Sequence, residues 1–397
     1  MSTLTVSANP LPASPTARPR ILTGPMVRLL VADFGAMTSF YLMLSVVPLF
    51  ATAQGVDGFG AGLSTGVLMF ASVAAELATP RLAARFGYRR LLIAGLVLLG
   101  APALALPGAS SMAMIMLVCV LRGLGFAIVV VAVGALVAAM VPAERRGEGL
   151  GLIGVVAMLP AVLALPLGVW LVSNAGFPLA FVVGALASIA VVAAVAGIPD
   201  PPPQEEEPLG VLAGLRSPSL VRPSIVFAGT AMAGGVVVTF LPAAVTTGSG
   251  DVAVLALFAQ AAAATLTRWW AGRYADRHGA PGLLAPGVLL AAAGMLCVVL
   301  TGSAVAVLVG MVLFGAGFGI AQSASLTLMF SRVPASEYGT VSAVWNIAYD
   351  LGWGAGAAGI GIVVVHHGYP VAFALTAVLM LTLIPLARSH RSSRKAP

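Results

Sequence analysis

Two short segments of the chain resemble each other and decide how the rest of it is read. Residues 80–90 read PRLAARFGYRR, and residues 272–279 read GRYADRHG. At an offset of 192 residues the following positions coincide: Arg81, Ala83, Arg85 and Gly87 with Arg273, Ala275, Arg277 and Gly279; Gly123, Gly125 and Phe126 with Gly315, Gly317 and Phe318; Val141, Pro142, Ala143 and Gly147 with Val333, Pro334, Ala335 and Gly339. The offset needs no gap from 80 to 147, which indicates an internal duplication.

The sequence around these segments is too apolar for a soluble protein. Of 397 residues, 60% are hydrophobic and only 8% are charged, against about 25% charged in an ordinary soluble domain. The mean hydropathy is +1.05. Most of the chain is therefore expected to lie in lipid.

Twelve apolar runs are long enough to cross a bilayer, and lipid leaves backbone groups no partner outside a helix. They are 28–50, 60–80, 90–107, 112–140, 149–172, 176–198, 222–245, 252–271, 281–301, 304–330, 338–365 and 369–387. We predict an all-α integral membrane protein with twelve transmembrane helices arranged as two six-helix repeats.

The basic residues predict the orientation. If the N-terminus is cytoplasmic, nineteen of the 20 Lys and Arg fall in cytoplasmic tails and loops, and the last, Arg122, lies in mid-helix. This distribution follows the positive-inside rule. We expect both termini in the cytoplasm and the protein in a bacterial-type inner (plasma) membrane.

The domain organisation follows from the same spans and from local composition. We predict a disordered cytoplasmic tail at 1–25, six-helix halves at 26–198 and 222–388, a Pro- and Glu-rich cytoplasmic linker at 199–221 and a basic tail at 389–397. Parallel repeats of this kind place a binding site at the midplane between the halves.

Several functional classes are excluded. The net charge of +7 is not gathered into a basic or basic-aromatic patch, so nucleic acid is not an expected partner. Cys119 and Cys297 lie in apolar runs, and no metal-ligand spacing is present. A Gly-Lys-Ser/Thr phosphate loop and a nucleophile–base arrangement are also missing. We expect no cofactor, no metal and no enzymatic activity.

The repeated segments resemble the signature loop of the major facilitator superfamily, Gly-x-x-x-Asp-Arg-x-Gly-Arg-Arg. The second copy, Gly272–Gly279, keeps the pattern, whereas the first has Pro80 for the Gly and Ala84 for the Asp. The resemblance implies a membrane transporter whose gating loops contain these residues: Arg81, Arg85, Arg89, Arg90, Gly272, Arg273, Asp276, Arg277 and Gly279. It also implies a latch in the outward-facing state, in which Arg273 and Asp276 engage the start of the fifth helix near Glu144 and Glu148.

Two further motifs are similar to that family. The fourth helix contains Arg122-Gly123-Leu124-Gly125-Phe126, an arginine followed by glycines. The fifth contains Leu165-Pro166-Leu167-Gly168, a degenerate form of the Gly-Pro pair that marks proton-coupled drug exporters.

When residues in loops and at helix ends are set aside, four ionisable residues remain inside the predicted spans, where each costs a few kcal/mol and is a functional candidate by default. They are the proton-coupling candidates Asp33, Glu76, Arg122 and Asp350. In the family pattern the arginine tunes an acid on the first helix, here Asp33; the alternative is a structural ion pair. Glu76 could gate or bind a proton. Asp350 could bind a proton or substrate, or join a hydrogen-bond cluster between helices.

Candidate cavity residues flank two of these acids. Met37, Phe40 and Tyr41 share a stripe of the first helix with Asp33, and Asn346, Tyr349 and Trp353 share a face of the eleventh with Asp350. Such side chains form adaptable walls for bulky ligands, but ordinary helix packing gives the same pattern.

Together these features predict a monomeric, proton-coupled antiporter that exports small hydrophobic compounds, as multidrug resistance transporters do. Its partners would be the substrate, protons and the lipid bilayer. The first alternative is a proton-coupled importer of a sugar, amino acid or organic acid. The second is a transporter-like membrane sensor that moves nothing.

Overall fold

The protein is helical in all the parts that the structure describes. This computed structural model describes residues 22–141, 146–199, 214–245, 251–278, 280–333 and 338–388. The long helices within these ranges are α1 (Gly24–Ala53), α2 (Gly58–Phe86), α3 (Tyr88–Gly100), α4 (Met112–Met140), α5 (Arg146–Ala175), α6 (Phe177–Ile189), α7 (Pro218–Ala244), α8 (Asp251–His278), α9 (Leu284–Val298), α10 (Ala304–Phe330) and α11 (Tyr338–Leu381). Shorter helical segments follow α3 (Ala101–Gly108), follow α6 (Val192–Val195), precede α9 (Ala280–Gly282) and follow α11 (Ile384–Arg388).

The predicted membrane fold is confirmed, with a qualification about the helix count. Within the described ranges, ten helices are long and apolar enough to cross a membrane, and α9 is apolar but has only 15 residues. The longest, α11, is interrupted at Gly368, whose φ of 79° and ψ of 173° are not helical. The last two predicted spans lie on the two arms of α11, one on each side of this break.

Consecutive helices run in opposite directions, which defines two ends of the bundle. The turns at Gly55, Gly176 and Gly368 lie at one end, and the turn at Gly87 lies at the other. All four glycines have φ near +80°, a conformation that residues with a Cβ rarely adopt. We call the end with Gly55 the outer end and the end with Gly87 the inner end, after the predicted orientation.

Side-chain caps fix the starts of three helices at the outer end, α2, α4 and α10. Asp57 Oδ1 accepts a hydrogen bond from the Gly60 amide at 2.8 Å, and Ser111 and Ser303 cap α4 and α10 in the same way. Each cap satisfies an amide that would otherwise lack a partner at the start of the helix.

The duplication read from the sequence is repeated in the packing. A Cβ on Gly123 of α4 would overlap the Leu68 carbonyl oxygen of α2, and one on Gly315 of α10 would overlap the Gln260 carbonyl oxygen of α8. Residues 123 and 68 are each 192 positions before 315 and 260. The same backbone contact therefore holds two helices together in the first half, α1–α6, and in the second half, α7–α11.

A second pair of contacts keeps the same offset. A Cβ on Gly95 would lie 3.1 Å from the Gly125 carbonyl oxygen, and one on Gly287 would lie 3.1 Å from the Gly317 carbonyl oxygen. The turn at Gly176 likewise has its counterpart at Gly368, so the repeat extends beyond the region 80–147 that the sequence comparison covered.

The structure corrects the predicted position of one basic residue. Arg268 was assigned to a cytoplasmic loop, but α8 continues for ten residues beyond it, to His278. Its guanidinium lies inside the bundle and donates to Gln322 Oε1 of α10 at 3.1 Å. The apolar run at 252–271 ends near Arg268, which made it look like a flanking residue.

Candidate functional site

The two halves meet at the outer end, where α2 of the first half packs on α11 of the second. Gly62 lies directly on the backbone of α11, and a Cβ on Gly66 would lie 3.3 Å from the Gly354 carbonyl oxygen. The hydroxyls of Thr65 and of Thr239 on α7 share a buried hydrogen bond of 3.1 Å. We call Gly62, Thr65, Gly66, Thr239 and Gly354 the outer seal. It closes this face of the interface between the halves.

A group of acidic side chains lies further along the same two helices, toward the inner end. Asp350 of α11 is 2% exposed, and Glu76 of α2 is close enough for its charge to interact with that of Asp350. Ser72, one turn before Glu76, lies beside Asp350. Asp350 Oδ2, Glu76 Oε2 and Ser72 Oγ are all buried and complete no hydrogen bond. We call Ser72, Glu76 and Asp350 the acidic cluster.

A polar cluster on α8 faces the acidic cluster across the centre of the bundle. The Arg268 guanidinium donates to Gln322 and lies 3.4 Å from the Met158 sulfur of α5, in the other half. It is also close enough to Tyr41 of α1 and Tyr349 of α11 for electrostatic interaction. A permanent cation therefore reaches the contact between the halves, where the sequence analysis had expected only Arg122.

Aromatic rings form a continuous wall in the second half. The Phe227 and Trp345 rings stack with centroids 4.4 Å apart, and Tyr349 lies 5.8 Å from Phe227 and 5.1 Å from Trp353. The Trp353 indole N–H is buried and has no acceptor. Phe318 meets Trp353 edge to face at 6.3 Å. Phe227 and Trp353 are buried in this structure, so a flat apolar ligand would reach these rings only in a different arrangement of the helices.

The predicted cavity residues fall into different environments. Tyr349 and Trp353 belong to the aromatic wall, while Asn346 is partly exposed one turn closer to the inner end. In α1, Tyr41 faces Arg268, but Phe40 stacks on Phe126 of α4 at 3.8 Å, which is packing within the first half. Met37 is buried in the same core. The assignment of these side chains to a substrate cavity stays a prediction.

Arg122 has partners other than the predicted acid. It is fully buried in α4, and its guanidinium donates to the Leu99 carbonyl oxygen of α3 and, at 3.1 Å, to the Ser39 carbonyl oxygen of α1. Asp33 is 3% exposed, and its Oδ2 is buried without a hydrogen bond. Within the described ranges the two side chains form no ion pair, because the guanidinium turns toward carbonyls that are nearer than the carboxyl group.

The residues predicted to lie in gating loops are mostly on helix ends. Arg81 and Arg85 lie in the last turns of α2, Arg89 and Arg90 in the first turn of α3, and Gly272, Arg273 and Arg277 in the last turns of α8. The Arg273 guanidinium lies over the Trp269 ring at 4.2 Å. The Asp276 side chain and Gly279 are outside the described part of the chain, as are Glu144 and the Glu148 side chain, so the latch stays a prediction.

The inner end of the second half is held by a charged contact. Arg332 follows α10 and donates to the Ser219 carbonyl oxygen, at the start of α7, at 2.8 Å. Partial burial, together with the neighbouring Arg222 guanidinium, lowers the pKa of Arg332 below its usual range.

The degenerate Leu165–Gly168 motif lies at a second contact between the halves. Within the first half, the Ser45 hydroxyl of α1 donates to the Leu165 carbonyl oxygen at 3.4 Å. Pro166 and Leu167 line a largely apolar groove of about 350 Å³ between α5 and α8, in which Asp251 is the one acidic residue.

Sequence reasoning missed Arg268, Gln322 and the hydrogen bond between Thr65 and Thr239. One signal was available, since Arg268 is the residue 192 positions after Glu76 and belongs at the same depth of the second half. Gln322 and the threonines carry no signal of their own, because uncharged polar residues are common in membrane helices.

Comparison with known proteins identifies the family. Residues 29–357 match the Major Facilitator Superfamily. A solved bacterial homolog of the human lysosomal transporter Spinster, inward-facing and unoccupied, has a TM-score of 0.76 at 17% identity, covering 94% of this chain and 98% of its own. The nucleoside transporter NupG has a TM-score of 0.74 at 12% identity, covering 94% and 100%. The family match spans most of the described helices and the repeated halves, and the chain belongs to the Major Facilitator Superfamily of membrane transporters.

Proposed function

We propose that this transporter is a proton-driven exporter of small, rather hydrophobic compounds. One observation carries the proposal: buried carboxyl groups, which form no ion pair within the described part of the chain, lie at the interface between the halves, near the aromatic wall. A charged carboxylate in such a position is costly, so a site of this kind has reason to take up and release a proton.

Antiport requires only that proton and substrate favour different facing states. A proton on the carboxyl groups removes their repulsion and favours the packed interface described above. A substrate against the aromatic wall favours the alternative state. Each change of facing state then carries either the proton or the substrate across the membrane, as the first six-helix half rocks against the second.

The aromatic wall supports the substrate class. Rings of Phe227, Trp345, Tyr349 and Trp353 offer stacking surfaces, and the Trp353 indole N–H requires an acceptor that only a ligand or water would supply. A planar apolar molecule with one hydrogen-bond acceptor fits this chemistry.

The test is transport in proteoliposomes under an imposed pH gradient. A panel of fluorescent lipophilic dyes, with ethidium as the first, would be measured with the parent protein and with Asp33→Asn and Asp350→Asn. Asp57→Asn is the matched control, because it makes the same chemical change at a helix cap, where asparagine serves equally well.

We expect dye to move against the proton flow in the parent and in Asp57→Asn, and coupling to be lost in at least one of the other variants. If dye and protons move in the same direction, export is refuted. If no compound moves at any gradient, the sensor alternative replaces it.

A second candidate, import of a polar solute, has its own supporting observation. Arg268 and Gln322, with Tyr41 and Tyr349 nearby, form a polar group that a hydrophobic substrate would not need. Uptake of sugars, amino acids, organic acids or nucleosides with protons, in the same vesicles, would favour this reading over export.

The membrane topology is part of the proposal. We place the N-terminus, the linker at 199–221 and the C-terminus in the cytoplasm, with halves at 26–198 and 222–388, and expect one chain to act alone because it contains both halves. Reporter fusions active on only one side of the inner membrane, at each of the three places, test the orientation.

A further inference from the structure

The acidic cluster joins the two halves of the transporter. Glu76 belongs to α2 of the first half and Asp350 to α11 of the second, and these helices are in backbone contact along the outer seal. The charges of the two carboxyl groups lie within interaction range of each other. Any motion that separates α2 from α11 therefore also changes the distance between these groups.

Two carboxyl groups in one buried site behave as a unit. If both are ionised they repel strongly, because little water screens them. If one proton is present, the repulsion is removed, and a small side-chain rotation would let the protonated group donate a strong hydrogen bond to the other, since Asp350 Oδ2 and Glu76 Oε2 complete none in this structure. The first condition pushes the two helices apart, and the second holds them together.

Among the residues that the structure describes, no cation forms an ion pair with either carboxyl group of the acidic cluster. Tyr41 of α1 and Tyr349 of α11 are the titratable groups that face Asp350. Arg268 of α8 faces those two tyrosines and bonds Gln322 of α10, and within the described ranges it forms no ion pair with either acid.

The charged residues on the other helices that contact α2 and α11 are engaged elsewhere or lie away from the acidic cluster. Asp33 of α1 faces Tyr41. Arg122 of α4 is held by two backbone carbonyls. In α7 the charged residue is Arg222, near its inner end; α9 and α10 contain no charged residue.

We propose that Glu76 and Asp350 together form a single proton-binding site, and that the one proton they share holds α2 against α11 and keeps the outer end closed. Loss of the proton to the inner side leaves two carboxylates, whose repulsion opens the interface toward the outer end. Ser72 supports the shared proton by offering its hydroxyl to Asp350. This deepens the proposed function by naming its proton site, and it rests on that function only for the coupling to substrate.

The experiment measures the interface directly, with no substrate present. In a protein with Cys119→Ala and Cys297→Ala, spin labels are placed at Phe59→Cys of α2 and Ile362→Cys of α11. Both positions are exposed near the outer end. Electron–electron resonance then gives the populations of short and long label distances in nanodiscs as pH is raised.

In the parent we expect the ratio of long to short distances to rise by about tenfold or more across the titration, because a tenfold difference in proton affinity between two states shifts their ratio by the same factor. Glu76→Gln and Asp350→Asn should each remove this response and leave the short distance at every pH. An amide donates to the remaining carboxylate and so replaces the shared proton. Asp57→Asn, which makes the same chemical change at the helix cap of α2, is the matched control and should keep the response.

Retention of the parental pH response in either single variant overturns the proposal, because a shared proton cannot survive loss of one partner. If the variants do not fold, infrared spectroscopy of the parent, which follows the protonation of its carboxyl groups as pH is raised, tests the proposal instead. One carboxylic acid should deprotonate over the same pH range in which the label distances change. If no carboxylic acid is detected, or if it deprotonates outside that pH range, the proposal is overturned. A normal distance response with no dye export would refute the proposed function and leave this inference standing.

Discussion

Gly62 offers a direct test of how the outer seal works, through the single change Gly62→Ala. A Cβ at this position would lie 2.9 Å from the Ala357 carbonyl carbon and 3.0 Å from Phe240 Cζ, and would overlap the Ala357 oxygen. Ala357 lies in the other half, so only the closed outer end suffers the overlap. Overpacking of a close contact costs about 1–3 kcal/mol. The closed state should therefore lose about 5- to 150-fold in population relative to the open state.

Two control variants separate this effect from general damage. Gly123→Ala introduces the same overlap with a backbone carbonyl, but inside the first half, on Leu68. It should lower thermal stability without changing the balance of states, because both states contain that contact. Gly359→Ala adds a Cβ in open space on α11 and should change neither property.

The assay is the distance measurement between labels at Phe59→Cys and Ile362→Cys, at a pH where the parent is mostly closed. A ratio of long to short distances in Gly62→Ala within about twofold of the parent, with the protein folded, would refute the reasoning. A shift in Gly123→Ala as large as that in Gly62→Ala would also refute it, since the effect would then not belong to the contact between halves.

Three further predictions concern polar contacts. Replacing Arg122 with Lys should cost about 1–3 kcal/mol of stability, because one ammonium cannot serve two carbonyls on different helices; thermal unfolding in detergent measures the loss, and an unchanged midpoint contradicts it. Thr65→Val removes the hydrogen bond to Thr239 and should raise the open population about 2- to 10-fold in the label-distance assay, whereas no change means that the bond is absent or present in both states. Arg268→Ala and Gln322→Ala should have effects on transport that do not add in the double variant, because the two side chains bond each other; simple additivity would show that they act separately.

The fold was predictable because long stretches of sequence, namely the apolar runs and the internal repeat, determine it. Each predicted span overlaps a helix of the structure, the last two sharing α11, and the predicted duplication is repeated in contacts such as Gly123 on α2 and Gly315 on α8. The break at Gly368 falls between the last two predicted spans, 338–365 and 369–387, whereas the continuation of α8 to His278, beyond the run at 252–271, was not predicted.

The candidate site was less predictable, because partners depend on side-chain direction. The sequence suggests an ion pair between Arg122 of α4 and Asp33 of α1. In the structure the Arg122 guanidinium instead donates to backbone carbonyl oxygens, which no sequence pattern could indicate. Arg268 was placed outside the membrane because it follows an apolar run, and only the extra turns of α8 bring it inside. The approach of Glu76 to Asp350 joins residues that are far apart in the chain, and their packing alone reveals it.

The glycine contacts that recur in both halves have a consequence for how such a protein can evolve. Two helices in backbone contact require small residues only at the contact positions, and substitutions at most other positions of those helices leave the contact intact. If the proposed function holds, selection for a new substrate would act on the few side chains at the centre, such as Arg268, Gln322 and the aromatic wall, without disturbing the helix contacts. This division agrees with solved transporters that keep the same fold at 12–17% identity. An engineer should be able to redesign the centre of this protein while leaving its glycines alone.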